Sequence, residues 1–477
     1  MLRLPYIFYL LFIFSFYIAN AQQKPNIIYI LADDLGYGDV GCYGQKTIRT
    51  PHIDSLAKEG LLFTQHYAGA PVCAPSRAVL MTGRDIGHAR VRGNYETGPN
   101  GLGAGLELAD DDITMAEVLK QRGYTTALVG KWGLGVAGTT GEPVKQGFDY
   151  SYGYLNQAHA HNHFPDHLFR NGERVEMEEN KNGQTNQYSN NLFTEEAIQF
   201  VSSKKGNPFF LYLAFTTPHA ELLVPDDTIF RSYKGQFEEQ PFINNNSGKP
   251  SGGYGGYRTQ LYPKAAYAAS ITHLDQCIGR IVSYLKQNGL YENTLIIFSS
   301  DNGPAREGGA NPAYFESSGG LRGMKRDVYE GGIRVPMIAV WPGVIKKGMR
   351  TAHISGFQDI MPTLAEAAGA PLPAQVSTEG ISFFPLLNNK KQRAHDYLYW
   401  EFHENKTTNQ AIRKGRWKGV RMAPDLPLEL YDMTSDPAEK KNVAGSNPKV
   451  VQQLEALLDK ARVPHPLWPV KGSMQKQ

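Results

Sequence analysis

The sequence has few cysteines and almost no excess of charge of either sign. It contains 3 Cys among 477 residues, too few for a disulfide-rich scaffold or a multi-cysteine zinc module. Lys and Arg number 49 against 46 Asp and Glu, so the formal net charge is only +3. This weak excess does not favour nucleic acid or an acidic membrane as a partner. The chain is longer than one compact core, so at least two sub-cores are expected.

Long hydrophobic runs are also scarce, and the exception lies at the N-terminus. Residues 4–18 are almost wholly apolar, follow a single charge at Arg3, and lead into the small-x-small sequence Ala19-Asn20-Ala21. This order is typical of a secretory signal peptide, and the run is shorter than the ~20 residues of a membrane-spanning helix. We predict that residues 1–21 are a signal peptide, and that the mature protein has no membrane span and reaches the periplasm or the exterior. An uncleaved anchor is the alternative.

The rest of the sequence contains short apolar runs, rich in β-branched residues, that alternate with helical patterns. The runs that predict buried strands are residues 26–32, 125–129, 209–215, 294–298 and 336–341. Apolar residues at helical spacing predict helices over residues 114–122 and 265–287. Strands that alternate with helices predict an α/β sandwich around a largely parallel sheet.

Polar residues follow four of these predicted strands. They are Asp33 with Asp34, Lys131, His219, and Asp301 with Asn302. Ligands of such folds bind beyond the carboxyl ends of the strands, so we expect one assembled site. The acids and the amide offer only oxygen ligands, which suit Ca²⁺, or less well Mg²⁺, rather than zinc. The alternative is that both polar pairs merely form turns.

The segment around Cys73 is another candidate functional feature. Pro75 suits the first turn of a helix that would run to Met81 and end at Gly83. Cys73 would then lie at the helix N-terminus, where backbone N–H groups favour anions, with Arg77 one turn further on. A buried structural cysteine before an ordinary helix is the alternative.

The run Cys73-Ala74-Pro75-Ser76-Arg77 is similar to the Cys-x-Pro-Ser-Arg signature of the formylglycine-dependent, arylsulfatase-like type I sulfatases. The chain resembles this family, and bacterial polysaccharide sulfatases in particular, over most of its length. The further matching blocks are residues 26–39, 50–57, 130–132, 218–219, 300–303, 320–325, 329–336, 412–418 and 429–432.

The resemblance implies an architecture and two domains. It implies an alkaline-phosphatase-like α/β sandwich with a large mixed, mostly parallel sheet, followed by a smaller C-terminal α+β subdomain. Gly369, Pro371 and Pro373 mark the exit from the first domain. We therefore predict a catalytic domain over residues 22–370 and a subdomain over residues 371–477.

The resemblance also implies a set of site residues. Cys73 would be oxidised to Cα-formylglycine (3-oxoalanine) by a separate maturation enzyme, and would serve as nucleophile and Ca²⁺ ligand. One hydroxyl of the aldehyde hydrate attacks sulfur, and the other allows sulfate to leave. The other implied Ca²⁺ ligands are Asp33, Asp34, Asp301 and Asn302. The implied catalytic residues are Arg77 beside the nucleophile, Lys131 and Lys325 as sulfate clamps, and His219 as proton donor.

One position departs from the family pattern. Many members have a histidine two residues after the lysine of Gly-Lys-Trp, where this sequence has Gly133. Residues 156–165 contain His159, His161 and His163. We predict that His161 contacts substrate or acts in catalysis in place of the absent histidine. An inert loop and a transition-metal site are the alternatives.

The predicted activity is hydrolysis of sulfate esters on a carbohydrate, with a marine algal polysaccharide fragment of ulvan or carrageenan type as substrate and exo action. His159 and Arg170 would bind sugar hydroxyls. Tyr254, Tyr257 and Tyr262 would present aromatic faces to the sugar. Host glycosaminoglycans are a further candidate substrate. The alternative functions are a phosphohydrolase of the same superfamily and a catalytically impaired sulfated-glycan-binding protein.

Overall fold

The computed structural model describes residues 24–94, 107–204, 206–244, 257–369 and 372–473. The predicted signal peptide, the predicted domain boundary at residues 370 and 371, and Tyr254 lie outside these ranges. No helix within them has the length and apolar character needed to cross a bilayer.

The strands are β1 Asn26–Asp33, β2 Leu61–Tyr67, β3 Thr125–Lys131, β4 Tyr150–Tyr154, β5 His167–Arg170, β6 Glu173–Glu176, β7 Phe209–Pro218, β8 Thr294–Ser300, β9 Arg334–Val340, β10 Met349–Thr351, β11 Ser355–Gly356, β12 Leu398–Phe402, β13 Asn409–Lys414, β14 Trp417–Arg421 and β15 Glu429–Asp432. The α-helices are α1 Pro51–Glu59, α2 Cys73–Thr82, α3 Met115–Lys120, α4 Ser189–Ser203, α5 Thr228–Tyr233, α6 Pro263–Gln287, α7 Glu330–Ile333, α8 Ile360–Ala367, α9 Phe384–Leu387 and α10 Pro448–Lys460.

A large mixed sheet forms the centre of the molecule. In the described residues its order is β10-β2-β9-β8-β1-β7-β3-β4-β5-β6, and β11 also pairs with β2. The central pairs β8–β1, β1–β7 and β7–β3 are parallel, whereas β9 and the β4–β5–β6 edge join antiparallel. All five predicted strands are present. The α/β fold with a mostly parallel sheet is therefore confirmed.

The side chains of β1 show how the sheet is covered on both faces. Ile27, Tyr29 and Leu31 belong to one hydrophobic cluster, and the alternate residues Ile28 and Ile30 belong to another. Every residue of β1 is buried. Because successive side chains of a strand point to opposite faces, a continuous apolar run indicates that helices cover both.

A second, four-stranded antiparallel sheet, β12-β13-β14-β15, follows in the chain. Its first strand, β12, begins at Leu398. Helix α10 follows this sheet and begins at Pro448, a residue suited to a first helical turn. Its Leu454 and Leu458 are fully buried, and each contributes about 1.5–3 kcal/mol of hydrophobic stabilisation.

Helix α2 begins at Cys73, as the sequence predicts. Its preceding residue, Val72, is extended, and the helix ends at Gly83, whose φ of +66° places it in the left-handed region. All ten helix residues are buried. The helix is therefore enclosed on all sides, and its first residue has a fixed position.

Candidate active site

Four strands of the large sheet end at one buried site. β1 ends at Asp33, β3 ends at Lys131, and β8 ends immediately before Asp301. β7 ends at Pro218 and is followed by His219. Each of the titratable residues here is at most 3% exposed. Their charges must therefore be balanced within the site rather than by water.

Helix α2 brings Cys73 to the same place. Its Sγ lies 3.4 Å from Asp33 Oδ1 and 3.9 Å from Asp34 Oδ1. Asp34 has a φ of +65°, a left-handed conformation that is uncommon outside glycine and typical of functional sites. Burial raises the pKa of the Cys73 thiol well above its usual range. An unmodified thiol here stays protonated and is a poor nucleophile.

Arg77 joins α2 to two of the strand ends. Its Nε and Nη2 donate to Asp301 Oδ2 at 3.0 and 2.8 Å, and its Nη1 donates to the Lys131 carbonyl at 2.8 Å. The guanidinium and the Asp301 carboxylate are both 0% exposed. Charge-assisted bonds of this kind fix orientation as well as charge, so Arg77 sets the position of α2 relative to β3 and β8.

Two lysines contact the aspartate pair. Lys131 Nζ lies 2.6 Å from Asp33 Oδ2, and Lys325 Nζ lies 2.7 Å from Asp34 Oδ2. Burial would raise the pKa of Asp33, but the ammonium of Lys131 and neighbouring cationic groups outweigh it and hold that pKa well below its usual range. Two buried ammonium groups thus balance the charge of the aspartate pair.

The predicted oxygen ligands fit a hard divalent cation. Asn302 Nδ2 donates to Asp34 Oδ1 at 2.7 Å, while its buried Oδ1 has no hydrogen-bond partner among the described residues. Burial and the charge of Asp33 raise the pKa of Asp301 to about 7, and burial raises that of Asp34 to about 6. A cation would offset the repulsion among these carboxylates and satisfy the free oxygen. The donor atoms that lie within 4.8 Å of one another are those of Asp33, Asp34, Cys73 and His219.

His161, one of the predicted loop histidines, lies in this site. Its ring stacks on that of His219, with centroids 4.5 Å apart and planes at 15°. His219 Nε2 lies 3.4 Å from Asp34 Oδ2. Burial, reinforced by the charge of Lys325, lowers the pKa of His219 well below its usual range. Burial and the charge of His219 do the same for His161, so both rings are neutral near pH 7.

His159 and Arg170, which were also predicted to bind substrate, make their contacts at the β4–β5 edge of the sheet. His159 stacks on His167, with ring centroids 4.2 Å apart. Arg170 Nη2 donates to Glu196 Oε2 at 2.9 Å. These contacts are not with the strand-end residues, and a substrate role for either side chain stays a prediction.

The space beside Gly133 is filled by another side chain. Gly133 has a φ of +80°, and an added Cβ would come within 2.0 Å of Gln157 Nε2. A histidine at this position would require Gln157 to move. The amide of Gln157 therefore occupies the place where the family pattern has a histidine side chain.

Of the three predicted rim tyrosines, only Tyr257 has a described contact at the site, with its ring 5.7 Å from that of His161. The ring of Tyr262 lies 6.5 Å from that of Phe230 and beneath the ammonium of Lys234, at 4.5 Å. This contact indicates a role in packing for Tyr262.

Sequence reasoning missed Glu307, which belongs to the wall of the site. Its carboxylate is paired with Arg326, the residue after Lys325, and its Oε2 is buried without a hydrogen-bond partner among the described residues. A Cβ on the adjacent Gly308 would lie 2.9 Å from Ala220, the residue after His219. The only signal in the sequence was its position six residues after Asp301.

Comparison with known proteins agrees with this geometry. The sulfatase family profile matches residues 25–370, and the profile of the N-sulphoglucosamine sulphohydrolase C-terminal region matches residues 323–463. Human arylsulfatase A is 32% identical, over 91% of this chain and 87% of its own length. The N-acetylgalactosamine-6-O-sulfatase of Bacteroides thetaiotaomicron is 30% identical, over 92% of this chain and 94% of its own.

Solved structures of other proteins are similar to this chain. The crystal structure of Ps i-CgsB in complex with k-i-k-neocarrahexaose superimposes with a TM-score of 0.76 at 31% identity, over 92% of each chain. The phosphonate monoester hydrolase of Agrobacterium radiobacter, at 21% identity and a TM-score of 0.62, shares the fold.

Proposed function

Because the chain belongs to the sulfatase family and is a sulfuric ester hydrolase, we propose that it hydrolyses sulfate esters of a carbohydrate, with Cys73 oxidised to formylglycine and with one Ca²⁺ bound. The observation that carries this proposal is the position of Cys73, at the buried start of α2 and 3.4 Å from Asp33 Oδ1. Its raised pKa makes the thiol itself a poor nucleophile. A separate maturation enzyme would supply the oxidation.

Each residue of the site has a chemical role in this proposal. Formylglycine hydrate supplies a hydroxyl nucleophile and a second hydroxyl for product release, and Ca²⁺ supplies charge that favours the ionised nucleophile. The residues that would hold the cation, with residue 73, are Asp33, Asp34, Asp301 and Asn302. Lys131 and Lys325 bind sulfate oxygens and stabilise the negative charge that develops in the transition state. His219 would donate a proton to the leaving oxygen, because a bound anion would raise its pKa.

The substrate we propose is a sulfated galactan fragment of carrageenan type, with ulvan and glycosaminoglycan fragments as the other candidates. One solved relative binds k-i-k-neocarrahexaose, and one curated relative is an N-acetylgalactosamine-6-O-sulfatase. Both sugars contain a galactose-configured ring. The reacting Cys73 is only 1% exposed, which favours exo action on chain ends over attack in the middle of a polymer.

The test is sulfate release from a panel of carrageenan, ulvan and glycosaminoglycan oligosaccharides beside 4-methylumbelliferyl sulfate. We expect turnover of at least one sugar, and none in the Cys73→Ala variant, which should still fold. Turnover of the aryl sulfate with none on any sugar would overturn the carbohydrate assignment. Mass spectrometry of the peptide that contains residue 73 should find an aldehyde, and an intact thiol in fully active enzyme would overturn the formylglycine mechanism.

Export completes the proposal. Residues 1–21 have the order of a secretory signal, and an enzyme for extracellular polysaccharide needs to meet its substrate outside the cytoplasm. N-terminal sequencing of the mature protein should begin at Gln22, and retention of the apolar segment would indicate an anchor instead.

A further inference from the structure

A carboxylate with an unsatisfied oxygen lies beside this anion-binding site. Glu307 Oε1 is paired with the guanidinium of Arg326, whereas Oε2 is buried and has no hydrogen-bond partner within the described residues. Buried polar atoms are nearly always paired, so this oxygen calls for a donor that arrives with a ligand. Burial of Glu307 Oε2 does not rule out contact with a substrate, because Cys73, the proposed nucleophile, is itself only 1% exposed.

The turn that carries Glu307 packs against the side of the site where the leaving group must lie. A Cβ on Gly308 would be 2.9 Å from Ala220 Cβ and 3.8 Å from the Tyr257 ring. The Tyr257 ring is 5.7 Å from the ring of His161, which stacks on His219. His219 is the proposed proton donor to the leaving oxygen. The turn that carries Glu307 therefore borders the His219 side of the site, where the proposed function puts the alcohol part of the substrate.

Charge in this region keeps the carboxylate ionised. Burial would raise the pKa of Glu307, but the charges of Lys325 and Arg326 outweigh it and lower that pKa to about 2. An ionised carboxylate can only accept hydrogen bonds. The free oxygen therefore selects a donor group, and it repels a second anionic group in the same position.

We propose that Glu307 is a specificity-determining residue that accepts, through Oε2, a hydrogen bond from a hydroxyl group next to the sulfate ester on the sugar. This role rests on the proposed function, since it requires a carbohydrate as the leaving group. It predicts preference for a sugar with a free hydroxyl at that position, and discrimination against the same sugar when that hydroxyl is also sulfated.

Glu307 has a second effect, on the protonation of His219, which must be separated from recognition of the sugar hydroxyl. Its negative charge also favours the protonated form of His219. Loss of that effect would change the turnover of every substrate by a similar factor, whether or not it carries a hydroxyl. The ratio of kcat/KM between two substrates that differ by one hydroxyl cancels this common factor and reports recognition alone.

The experiment compares Glu307→Leu and Glu307→Gln with the wild type, using mature enzyme. The probes are methyl galactoside 4-sulfate and 6-sulfate, the analogues that lack one neighbouring hydroxyl, and 4-methylumbelliferyl sulfate. Glu59→Gln is the matched control, because Glu59 is also a partly exposed, ion-paired carboxylate, 3.0 Å from Lys286 Nζ and outside the site. We expect the wild type to prefer one hydroxylated probe over its deoxy analogue by roughly 10- to 150-fold, the range for a hydrogen bond to a charged group.

Glu307→Leu should abolish that preference, Glu307→Gln should reduce it, and Glu59→Gln should leave it unchanged. The role of Glu307 is overturned if the preference survives in Glu307→Gln and Glu307→Leu, if all probes including the aryl sulfate fall by the same factor, or if the wild type does not distinguish any pair. Release of sulfate from the aryl sulfate but from neither galactoside would instead overturn the galactose-configured substrate that we propose, and the role of Glu307 in recognising it.

Discussion

Replacement of Lys418 by methionine should loosen the C-terminal sheet, because Lys418 is a buried cation between two glutamates. Its Nζ lies 3.0 Å from Glu330 Oε1 and 2.8 Å from Glu439 Oε1, and all three side chains are 0% exposed. Lys418 is in β14, whereas Glu330 begins α7, five residues after Lys325. The lysine therefore ties the small sheet to the segment that carries Lys325, one of the two lysines proposed to bind sulfate.

The magnitude follows from what the substitution leaves behind. Methionine keeps the length of the side chain but leaves two buried carboxylates without the cation between them. Breaking a buried ion pair by removing one partner costs about 3–5 kcal/mol of stability. Burial already raises the pKa of Glu439. Protonation of the Glu439 carboxyl in acid will limit the loss of stability caused by Lys418→Met. That loss should therefore be greater at pH 8 than at pH 5.5.

A neighbouring ion pair provides the control. Arg416 Nε donates to Asp432 Oδ1 at 3.0 Å, but the arginine is 57% exposed. Exposed pairs contribute about 0–1 kcal/mol, so Arg416→Met should cost little. The assay is hydrogen exchange of the amides in β13 and β14, because parts of a chain with more than one core need not unfold together. Equal losses in Lys418→Met and Arg416→Met would refute the argument that burial of the charge decides the cost.

Three further predictions concern the site and its support. Asp301→Asn should stay folded, since asparagine keeps an acceptor for Arg77, but lose calcium by elemental analysis and lower kcat on the order of 100-fold or more; stoichiometric zinc without calcium or magnesium in the wild type would contradict the assignment. His161→Ala should lower kcat by about 100-fold, the lower range for acid–base groups, and His161→Phe should not restore it; unchanged kcat and KM would mean an inert loop. Burial opposes ionisation of Glu330, but Lys418 and other cations lower its pKa from 4.5 to about 2. Its contribution, about 3 kcal/mol, is present above pH 4.5 and lost as the pH falls towards 2, so Glu330→Gln should flatten that part of the thermal stability curve.

The sequence predicts the centre of the large sheet better than its edges. The cores of β1, β7 and β8 are uninterrupted apolar runs, because these strands are buried on both faces. β2 has the sequence LLFTQHY and includes two half-buried polar residues, so it does not stand out as a strand. The short antiparallel strands β5 and β6, of four residues each, are too brief to show a period. Their pairing depends on contacts distant in the sequence.

Some residues of the site could be predicted from the sequence and others could not, and local geometry explains the difference. Residues such as Asp33 and Lys131 end strands, so the sheet itself brings them together. His159 and His161 belong to one 3-10 turn, where residues two apart are rotated by about 240°, so their side chains point about 120° apart. One ring therefore packs on His167 and the other on His219. Composition could indicate a histidine-rich loop, but the direction of each ring depends on the turn, which the sequence did not predict.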